Sequence, residues 1–200
     1  MVTAGRPARL PSIDILDVTS ASIFGATMAP LFEGAPSFLA RLTAARPFGS
    51  FDALFEEARR IAHAMPAVEQ LELIDAHPRL GAPAAGVSAL SFVEQGYESE
   101  AAQRAAHDTE AELDRVAGEL DRLNAAYEAR FGFRYCVFVN GRSRTELLPG
   151  IEAALGAERE AEITRALDAA VDIARDRAAR LSAARLGVWR LGVPGRRGAT

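Results

Sequence analysis

The chain has 200 residues, of which 49% are apolar and 25% charged, proportions that are typical of a globular protein and exclude an intrinsically disordered one. Its net charge of -4 excludes a broad basic surface for nucleic acid, and no apolar run is long enough to span a bilayer. All 23 basic residues are arginine, which excludes a lysine Schiff base, and the single cysteine excludes an internal disulfide and a thiolate zinc cluster.

Four helices are predicted in the first part of the chain, because apolar residues recur there at intervals of three and four. Thr19 or Ser20 can cap the first helix, and Ser50 is a favourable N-cap for the third. The fourth must end at His77, since the following Pro78 disfavours helical geometry at that residue. We therefore expect helices over about residues 20–32, 37–46, 51–65 and 68–76.

The second part of the chain is predicted to be helical apart from one extended segment. Helices are expected from Ser88 or Ser91 towards residue 105, and over about residues 108–130, 145–155 and 157–186. Segment 131–141 is β-like in composition and ends in an Asn-Gly turn signal, but the sequence offers no second strand to pair with it. We expect this segment to be buried in extended conformation inside a helical protein.

These elements predict an all-α fold, a single-domain bundle of about seven to nine helices with a short extended segment near 131–141. The domain is expected to span residues 12–187, with flexible termini at 1–11 and 188–200. The N-terminal residues lack the apolar stretch of a signal peptide, which predicts a cytoplasmic protein. The excess of alanine and arginine is typical of a GC-rich bacterial coding sequence.

The first candidate for chemistry is His77, in the run Asp75-Ala-His-Pro-Arg-Leu-Gly81. At the C-terminus of a helix, unpaired carbonyl groups favour the charged imidazolium. A histidine fixed there, beside a turn allowed by Gly81, can act as a general acid or base. The same pattern is also typical of a histidine that only caps its helix, so both interpretations stay open.

The second candidate is the run Ser91-Phe-Val-Glu94-Gln95. On a helix these three polar side chains share one face, where they can bind a polar, amide-rich small molecule. Ser-x-x-Glu is also the capping-box pattern, and Ser88 is a competing cap. If the helix begins at Ser88, Ser91 and Glu94 are available for a ligand.

Further candidates lie near the end of the chain. An inward-facing arginine on the last helix, Arg175 or Arg177, can bind a substrate carboxylate through its fork of donors, although most arginines on such a helix are solvated. Asn124 and Tyr127 share a helix face, where packing and a pocket wall are both open interpretations. Cys136 lies among apolar residues, which indicates a buried thiol and not a nucleophile.

Taken together, these segments resemble the OHCU decarboxylase family, named for 2-oxo-4-hydroxy-4-carboxy-5-ureidoimidazoline. The resemblance covers about residues 15–182 and rests on the order and spacing of several motifs. Departures are Ser37, where the family usually has an aromatic residue, the arginine-rich segment 140–144, and a longer stretch between Glu94 and the final helix. The matching motifs are FEGAP (32–36), RPF (46–48), HPRLG (77–81), SxxEQ (91–95), NxxYxxRFGF (124–133) and IARDR (173–177).

The resemblance implies an all-α, cofactor-free carboxy-lyase that converts the ureidoimidazoline to (S)-allantoin in urate catabolism. It implies that His77 and Glu94 are catalytic and that Arg177 binds the substrate carboxylate, with Arg175 as the second choice. It also implies a small-molecule substrate and, in many members, a homodimer. The remaining substrate-binding residues implied are Pro78, Ser91, Gln95, Phe131, Phe133, Tyr135 and Val137.

Two other classes of function stay open. One is a metal-dependent hydrolase or hydratase of a ureido compound that uses His77, Asp75 and Glu94. No metal is expected, however, because the three histidines lack the spacing of a zinc motif. The other is a non-catalytic helical module that binds a small ligand. Neither nucleic acid nor a membrane is an expected partner.

Overall fold

The computed structural model describes residues 10–82, 87–95 and 110–183, and in these residues all regular secondary structure is helical. The expected flexible N-terminus (1–11), apart from its last two residues, and the expected flexible C-terminus (188–200) lie outside the described residues. The helices are α1 (Ile13–Val18), α2 (Ala21–Met28), α3 (Pro36–Ala44), α4 (Phe51–Ala64), α5 (Ala67–Ala76), α6 (Ala89–Glu94), α7 (Glu110–Phe131), α8 (Arg144–Ala154) and α9 (Arg159–Ala183).

Helix starts follow the capping residues in the sequence. Ser20 accepts a hydrogen bond from the Ile23 N–H at the start of α2, and Ser50 accepts one from the Ala53 N–H at the start of α4. α2 continues as a 3₁₀ turn, Ala29–Leu31, instead of running to residue 32 as one α-helix. The 3₁₀ turn itself packs against α9, and Glu33, which follows it, pairs with Arg177 of that helix.

Two segments test the predictions most directly. α5 ends at Ala76 and His77 is its C-cap, so the helix end predicted from Pro78 is confirmed. Residues 132–139 form neither helix nor strand, which confirms the unpaired extended segment of a helical protein. By contrast, α1 was not predicted.

α9 is the central element of the bundle. It packs against α4, α5 and the 3₁₀ turn, while α7 packs against α8 and α3 packs against α2, α4 and α5. Buried side chains from these elements form one continuous apolar core. Polar residues are buried beside it at the end of α5, where His77 lies, and on α9, which carries Glu162 and Arg177. In the part of the chain that the structure describes, no helix is both long and apolar enough to cross a membrane.

Candidate active site

His77 is fixed at the point where α5 stops. Its backbone N–H donates to the Ile74 carbonyl at 3.2 Å, and its ring Nδ1 lies 3.1 Å from the Leu73 carbonyl oxygen. The side chain is only 3% exposed. Since a carbonyl oxygen can only accept, Nδ1 must carry the proton in this contact. The ring orientation is therefore set by the last turn of its own helix.

The charge state expected for His77 was wrong. Burial lowers the pKa of His77 to about 4, and the positive charge of Arg177 also lowers it, while the Leu73 carbonyl and Glu33 act in the opposite direction. Desolvation of the imidazolium exceeds the attraction of the helix C-terminus, so the ring is neutral at pH 7. The neutral ring leaves Nε2 as an acceptor, and Nε2 has no hydrogen-bond partner within residues 10–82, 87–95 and 110–183.

His77 lines a small pocket whose open space, including the part that faces solvent, is about 290 Å³. The pocket is built from the end of α5, the end of α6, the extended segment and α9. Its wall is mainly apolar, which strengthens electrostatic interactions inside it. The other lining residues are Pro78, Leu80, Gln95, Tyr135, Cys136, Val137, Val139 and Ile173.

A buried polar cluster brings α6, α9 and the segment after the 3₁₀ turn together. Arg177, 1% exposed, donates from Nη1 to the Glu33 carboxylate at 2.9 Å and from Nη2 to Ser91 Oγ at 2.8 Å. Ser91 Oγ in turn donates to the same Glu33 oxygen at 2.5 Å. Such charge-assisted hydrogen bonds fix the guanidinium in one orientation.

The cluster and the pocket are neighbours. Arg177 follows Ile173 by one turn of α9, and Ser91 precedes Gln95 by four residues, so both pairs lie along one helix side. Ile173 and Gln95 line the pocket, and the charge of Arg177 reaches the His77 ring. Arg177 and Ser91 are not themselves lining residues, so the polar cluster lies behind the pocket wall and connects to it through Ile173 and Gln95.

The structure decides between the two interpretations of Ser91. The Ser91 backbone N–H donates to Ser88 Oγ at 3.1 Å, so Ser88 is the cap and Ser91 is available to the cluster. Gln95 Oε1 accepts from the Gly81 N–H at 3.2 Å, which ties α6 to the turn after His77. The side chain of Glu94, the second residue expected to be catalytic, lies outside the described residues.

Some predicted site residues lie elsewhere. Phe131 and Phe133 do not line the pocket; their rings pack on Tyr127, with centroids 4.6 and 5.6 Å from its ring. They are large apolar rings, and burying them against another aromatic ring is more favourable than exposing them to a polar ligand. Arg175, the second choice for the carboxylate, is exposed and pairs with Asp52 at 3.1 Å.

Two contacts were not foreseen. The motifs of the sequence predict no role for Glu33, within the FEGAP motif, although its position before Gly34 at a turn is a usable signal. Arg134 donates from Nη1 to the Asp75 and His77 carbonyls, and its backbone N–H donates to Asp75 Oδ1 at 2.8 Å. The Asp75 carboxylate thus holds the extended segment. Among the described residues, no three His, Cys, Asp or Glu side chains form a group suited to a metal ion.

Comparison with known proteins identifies a family. The sequence matches the OHCU decarboxylase family over residues 18–179. It is 33% identical over 153 residues to the uric acid degradation bifunctional protein PucL of Bacillus subtilis, covering 76% of this chain and 29% of that protein. It is 27% identical over 149 residues to the 2-oxo-4-hydroxy-4-carboxy-5-ureidoimidazoline decarboxylase of Haloferax volcanii, covering 74% of this chain and 83% of that protein. The chain thus spans less than a third of the bifunctional relative.

Solved structures share the fold. An (S)-allantoin synthase superposes with a TM-score of 0.61 at 18% identity, covering 85% of this chain and 53% of that one. An OHCU decarboxylase crystallised in the presence of (S)-allantoin superposes with a TM-score of 0.59 at 19% identity, covering 82% of this chain and 99% of that one. At these identities the likeness establishes the helical architecture, and the chemistry has to be argued from the residues of this chain.

Proposed function

The chain belongs to the OHCU decarboxylase family, and on that premise we propose that it decarboxylates 2-oxo-4-hydroxy-4-carboxy-5-ureidoimidazoline to (S)-allantoin in urate catabolism. One observation carries the proposal. His77 is a buried, neutral imidazole that lines a small pocket, and its Nδ1 is held by the Leu73 carbonyl so that Nε2 is the nitrogen left for a ligand.

The proposed substrate supplies its own electron sink. When the bond between the ring carbon and the carboxylate breaks, carbon dioxide leaves and the electron pair forms a double bond to the neighbouring ring carbon. The electrons of the ring C=N move to its nitrogen, which takes a proton from solvent. Many decarboxylases use pyridoxal or thiamine to accept this electron pair. Here the protein has only to orient the substrate and move protons, so we propose a cofactor-free reaction.

His77 then completes the reaction by moving one proton. Nε2 accepts the proton of the ring hydroxyl as the carbonyl of allantoin forms, and a proton is returned to the neighbouring ring carbon. A pKa of about 4 keeps Nε2 available as a proton acceptor at neutral pH. Because the ring orientation is fixed by Leu73, the proton arrives at one face of the substrate, which gives one enantiomer.

Other residues bind and orient the substrate. We assign the carboxylate to Arg177, which is buried beside the pocket, and ring or ureido heteroatoms to Ser91 and Gln95. Glu94 is assigned to orientation of His77 or of the ureido group, as its place one residue before Gln95 suggests. Pro78, Tyr135 and Val137 form apolar parts of the wall; their role is to exclude water. No binding role is assigned to Phe131 or Phe133.

We further propose the cellular setting of this activity. The protein is inferred to be a bacterial, cytoplasmic carboxy-lyase that acts on one small molecule and has no nucleic-acid or membrane partner. A homodimer is proposed as its assembly, on the basis of the family. Gel filtration with light scattering measures the assembly, and a mass near that of one chain contradicts the dimer.

The test generates the unstable substrate in situ from urate with the two preceding enzymes. Optically active allantoin should form faster with this protein than the racemic product forms without it, as circular dichroism at the allantoin band measures. His77→Gln should abolish that excess, since an amide cannot relay a proton. His63→Gln is the matched control, because His63 is a partly exposed histidine paired with Asp168 outside the pocket.

Three results contradict the proposal. Racemic allantoin at the spontaneous rate with folded wild-type protein rules out the decarboxylase. Binding of allantoin without turnover indicates the ligand-binding module. Loss of activity on chelation, restored by a divalent metal, indicates the metal-dependent hydrolase or hydratase. Wild-type activity in His77→Gln removes this histidine from the mechanism and leaves the decarboxylase to other residues.

A further inference from the structure

Glu33 is a charged residue in the site cluster that has no role in the chemistry described above. Its carboxylate is 12% exposed, and one of its oxygens accepts from Arg177 Nη1, Ser91 Oγ and Ser88 Oγ at 2.9, 2.5 and 2.8 Å. A partly buried carboxylate with three donors on one oxygen is held in a single orientation. Glu33 thus connects α6 to α9, because it binds Ser88 and Ser91 on one side and Arg177 on the other.

The backbone at Glu33 is in an unusual conformation. Its φ of 51° lies in the left-handed region, which costs a residue with a side chain roughly 1–2 kcal/mol, and Gly34 follows with a φ of 82°. The turn is closed by the Gly34 N–H, which donates to the Ala29 carbonyl at 2.9 Å. This conformation directs the Glu33 side chain to α9, and it persists because the surrounding contacts compensate its cost.

The 3₁₀ turn that precedes Glu33 also binds Arg177, through backbone carbonyls. Arg177 Nη1 also donates to the carbonyls of Pro30 and Leu31 at 3.2 and 3.1 Å. The guanidinium therefore contacts a carboxylate, two carbonyls and a hydroxyl from the segments around it. Glu33 contributes a negative charge to these contacts, and a buried positive charge without such an offset is costly.

Resting on the function proposed above, we propose that Glu33 is a positioning residue: it holds Arg177 beside the pocket and offsets part of its charge, so that the substrate carboxylate is bound without being over-stabilised. Loss of carbon dioxide removes the negative charge from the carboxylate. An arginine with its full charge would stabilise the bound substrate more than the transition state and slow the reaction. Sharing the arginine between Glu33 and the substrate reduces that difference.

Glu33 also acts on His77 through space, which supplies an independent measurement. The negative charge of Glu33 favours the imidazolium and the positive charge of Arg177 disfavours it. Among the described residues, the other polar groups near His77 are the Arg134 guanidinium on its carbonyl and the side chains of Gln95, Tyr135 and Cys136 in the pocket wall. Among the described residues, the two charges that act on the ring are those of Arg177 and Glu33, and an isosteric amide at Glu33 removes the negative one.

The experiment compares wild type with Glu33→Gln, which keeps an acceptor oxygen but removes the charge. Glu69→Gln is the control, because Glu69 also pairs with an arginine, Arg41, on an exposed surface away from the pocket. With the ureidoimidazoline generated from urate at several concentrations, we expect Glu33→Gln to lower kcat about tenfold without raising KM. Its acid limb in the pH profile of kcat should move to lower pH than in wild type.

Glu33→Asp separates charge from shape. It keeps the carboxylate, so we expect the acid limb at the wild-type pH and a smaller loss of kcat than with Glu33→Gln. This variant is decisive should Glu33→Gln fail to fold, as circular dichroism and thermal unfolding would reveal. An Asp variant that loses as much kcat as the Gln variant, or shifts the acid limb, overturns the proposal. A raised KM at unchanged kcat in Glu33→Gln does so as well.

The two proposals fail in different ways. If wild-type protein produces no excess of optically active allantoin, the decarboxylase function is wrong. If wild type is active and Glu33→Gln retains its kcat, KM and acid limb, the function stands and the role of Glu33 is wrong. Glu69→Gln should match wild type in all three quantities; a change in this control as large as that in Glu33→Gln shows a general effect of removing a carboxylate and overturns the positioning role.

Discussion

The protonation of His77 is set by opposing effects: burial and the charge of Arg177 disfavour the imidazolium, while the Leu73 carbonyl and Glu33 favour it. The place of His77 at the end of α5 favours the imidazolium, while burial disfavours it, and burial is the larger effect because it lowers the pKa to about 4. The position of His77 at the end of a helix could be predicted from Pro78. Its burial could not, because it depends on residues from α6, α9 and the extended segment. The charge of such a residue therefore follows from the fold and not from its local sequence.

The lowered pKa of His77 predicts how stability depends on pH. The unfolded chain binds the proton near pH 6.5 and the folded chain only near pH 4, so folding opposes protonation and stability falls as the pH drops through this interval. From pH 7 to pH 5 this one group removes about 2 kcal/mol from the free energy of unfolding. Urea unfolding at both pH values should show that the free energy of unfolding of His77→Gln does not fall by this amount between pH 7 and pH 5.

His63→Gln is the control for this prediction, since His63 is partly exposed and its Nε2 lies 2.8 Å from Asp168 Oδ1, outside the pocket. It should keep the pH dependence of the wild type between pH 7 and pH 5. If His77→Gln and wild type lose the same free energy between pH 7 and pH 5, the ring is not buried as a neutral group.

Gly81 is a second residue whose identity is fixed by its surroundings. Its φ is 79°, and an added Cβ would lie 2.5 Å from Leu120 Cδ2. Gly81→Ala should therefore lower the free energy of unfolding by about 2 kcal/mol or more, through the left-handed backbone and the contact with Leu120. Because the Gly81 N–H donates to Gln95, kcat should fall as well. Chemical denaturation and the allantoin assay measure the two effects.

Gly118 provides the matched control. It lies within α7, and an added Cβ there would meet no atom within 4 Å. Gly118→Ala should raise the free energy of unfolding by about 0.5–1 kcal/mol, as expected for alanine in place of glycine inside a helix. If both alanine variants have the same stability, the strain at Gly81 has been overstated.

Among the helices, those with their own caps and apolar stripes could be predicted, and those that depend on distant contacts could not. α4 and α5 are marked by Ser50 and Pro78. α1 buries only Leu16; it is held by Asp17, whose carboxylate accepts from the Phe48 and Gly49 N–H groups. Such contacts join residues far apart in sequence, which periodicity does not report.

In the candidate site too, residues marked by local motifs could be predicted, and those set by distant contacts could not. The His-Pro-Arg run, the Ser-x-x-Glu-Gln run and the final helix marked His77, Ser91 and Arg177, which the structure brings near one another. The role of Glu33 could not be predicted, because it depends on the 3₁₀ turn that directs its carboxylate to α9. Of the substrate-binding residues expected in the extended segment, Tyr135 and Val137 line the pocket, whereas the Phe133 ring packs on Tyr127.

The contact between the extended segment and α5 leads to a prediction about these two elements. Arg134 Nη1 donates to the Asp75 carbonyl at 2.8 Å and to the His77 carbonyl at 3.1 Å, so it satisfies acceptors that the end of α5 leaves open. Arg134→Ala should lower the free energy of unfolding by about 1 kcal/mol and lower kcat severalfold, because His77 loses a support. Urea unfolding and steady-state kinetics measure these effects.

Arg115→Ala is the comparison for Arg134→Ala. Arg115 is an exposed arginine of α7 that pairs with Glu112 at 2.7 Å, and such surface pairs contribute little. Its kcat should equal that of wild type. Equal kcat values in the two variants would mean that the Arg134 contacts do not orient the histidine.

At the scale of the whole molecule, α9 joins the core to the site. It packs against α4, α5 and the 3₁₀ turn, and it carries Ile173 of the pocket and the buried Arg177. Small residues recur on it every four positions, which permits close approach of neighbouring helices. These buried alanines are Ala166, Ala170, Ala174 and Ala178.

Close packing around α9 predicts that enlarging one of these alanines disturbs both stability and activity. Ala170 is 0% exposed, so Ala170→Leu adds three carbons to a filled interior and should lower the free energy of unfolding by about 1–3 kcal/mol. Moving α9 also displaces Ile173 and Arg177, so kcat should fall in parallel. Ala179→Leu, at an exposed position of the same helix, should change stability by less than about 0.5 kcal/mol. Equal stability and kcat in the two leucine variants would contradict this prediction. They would show that the core around Ala170 accommodates a larger side chain and that the geometry of the site does not depend on the packing of α9.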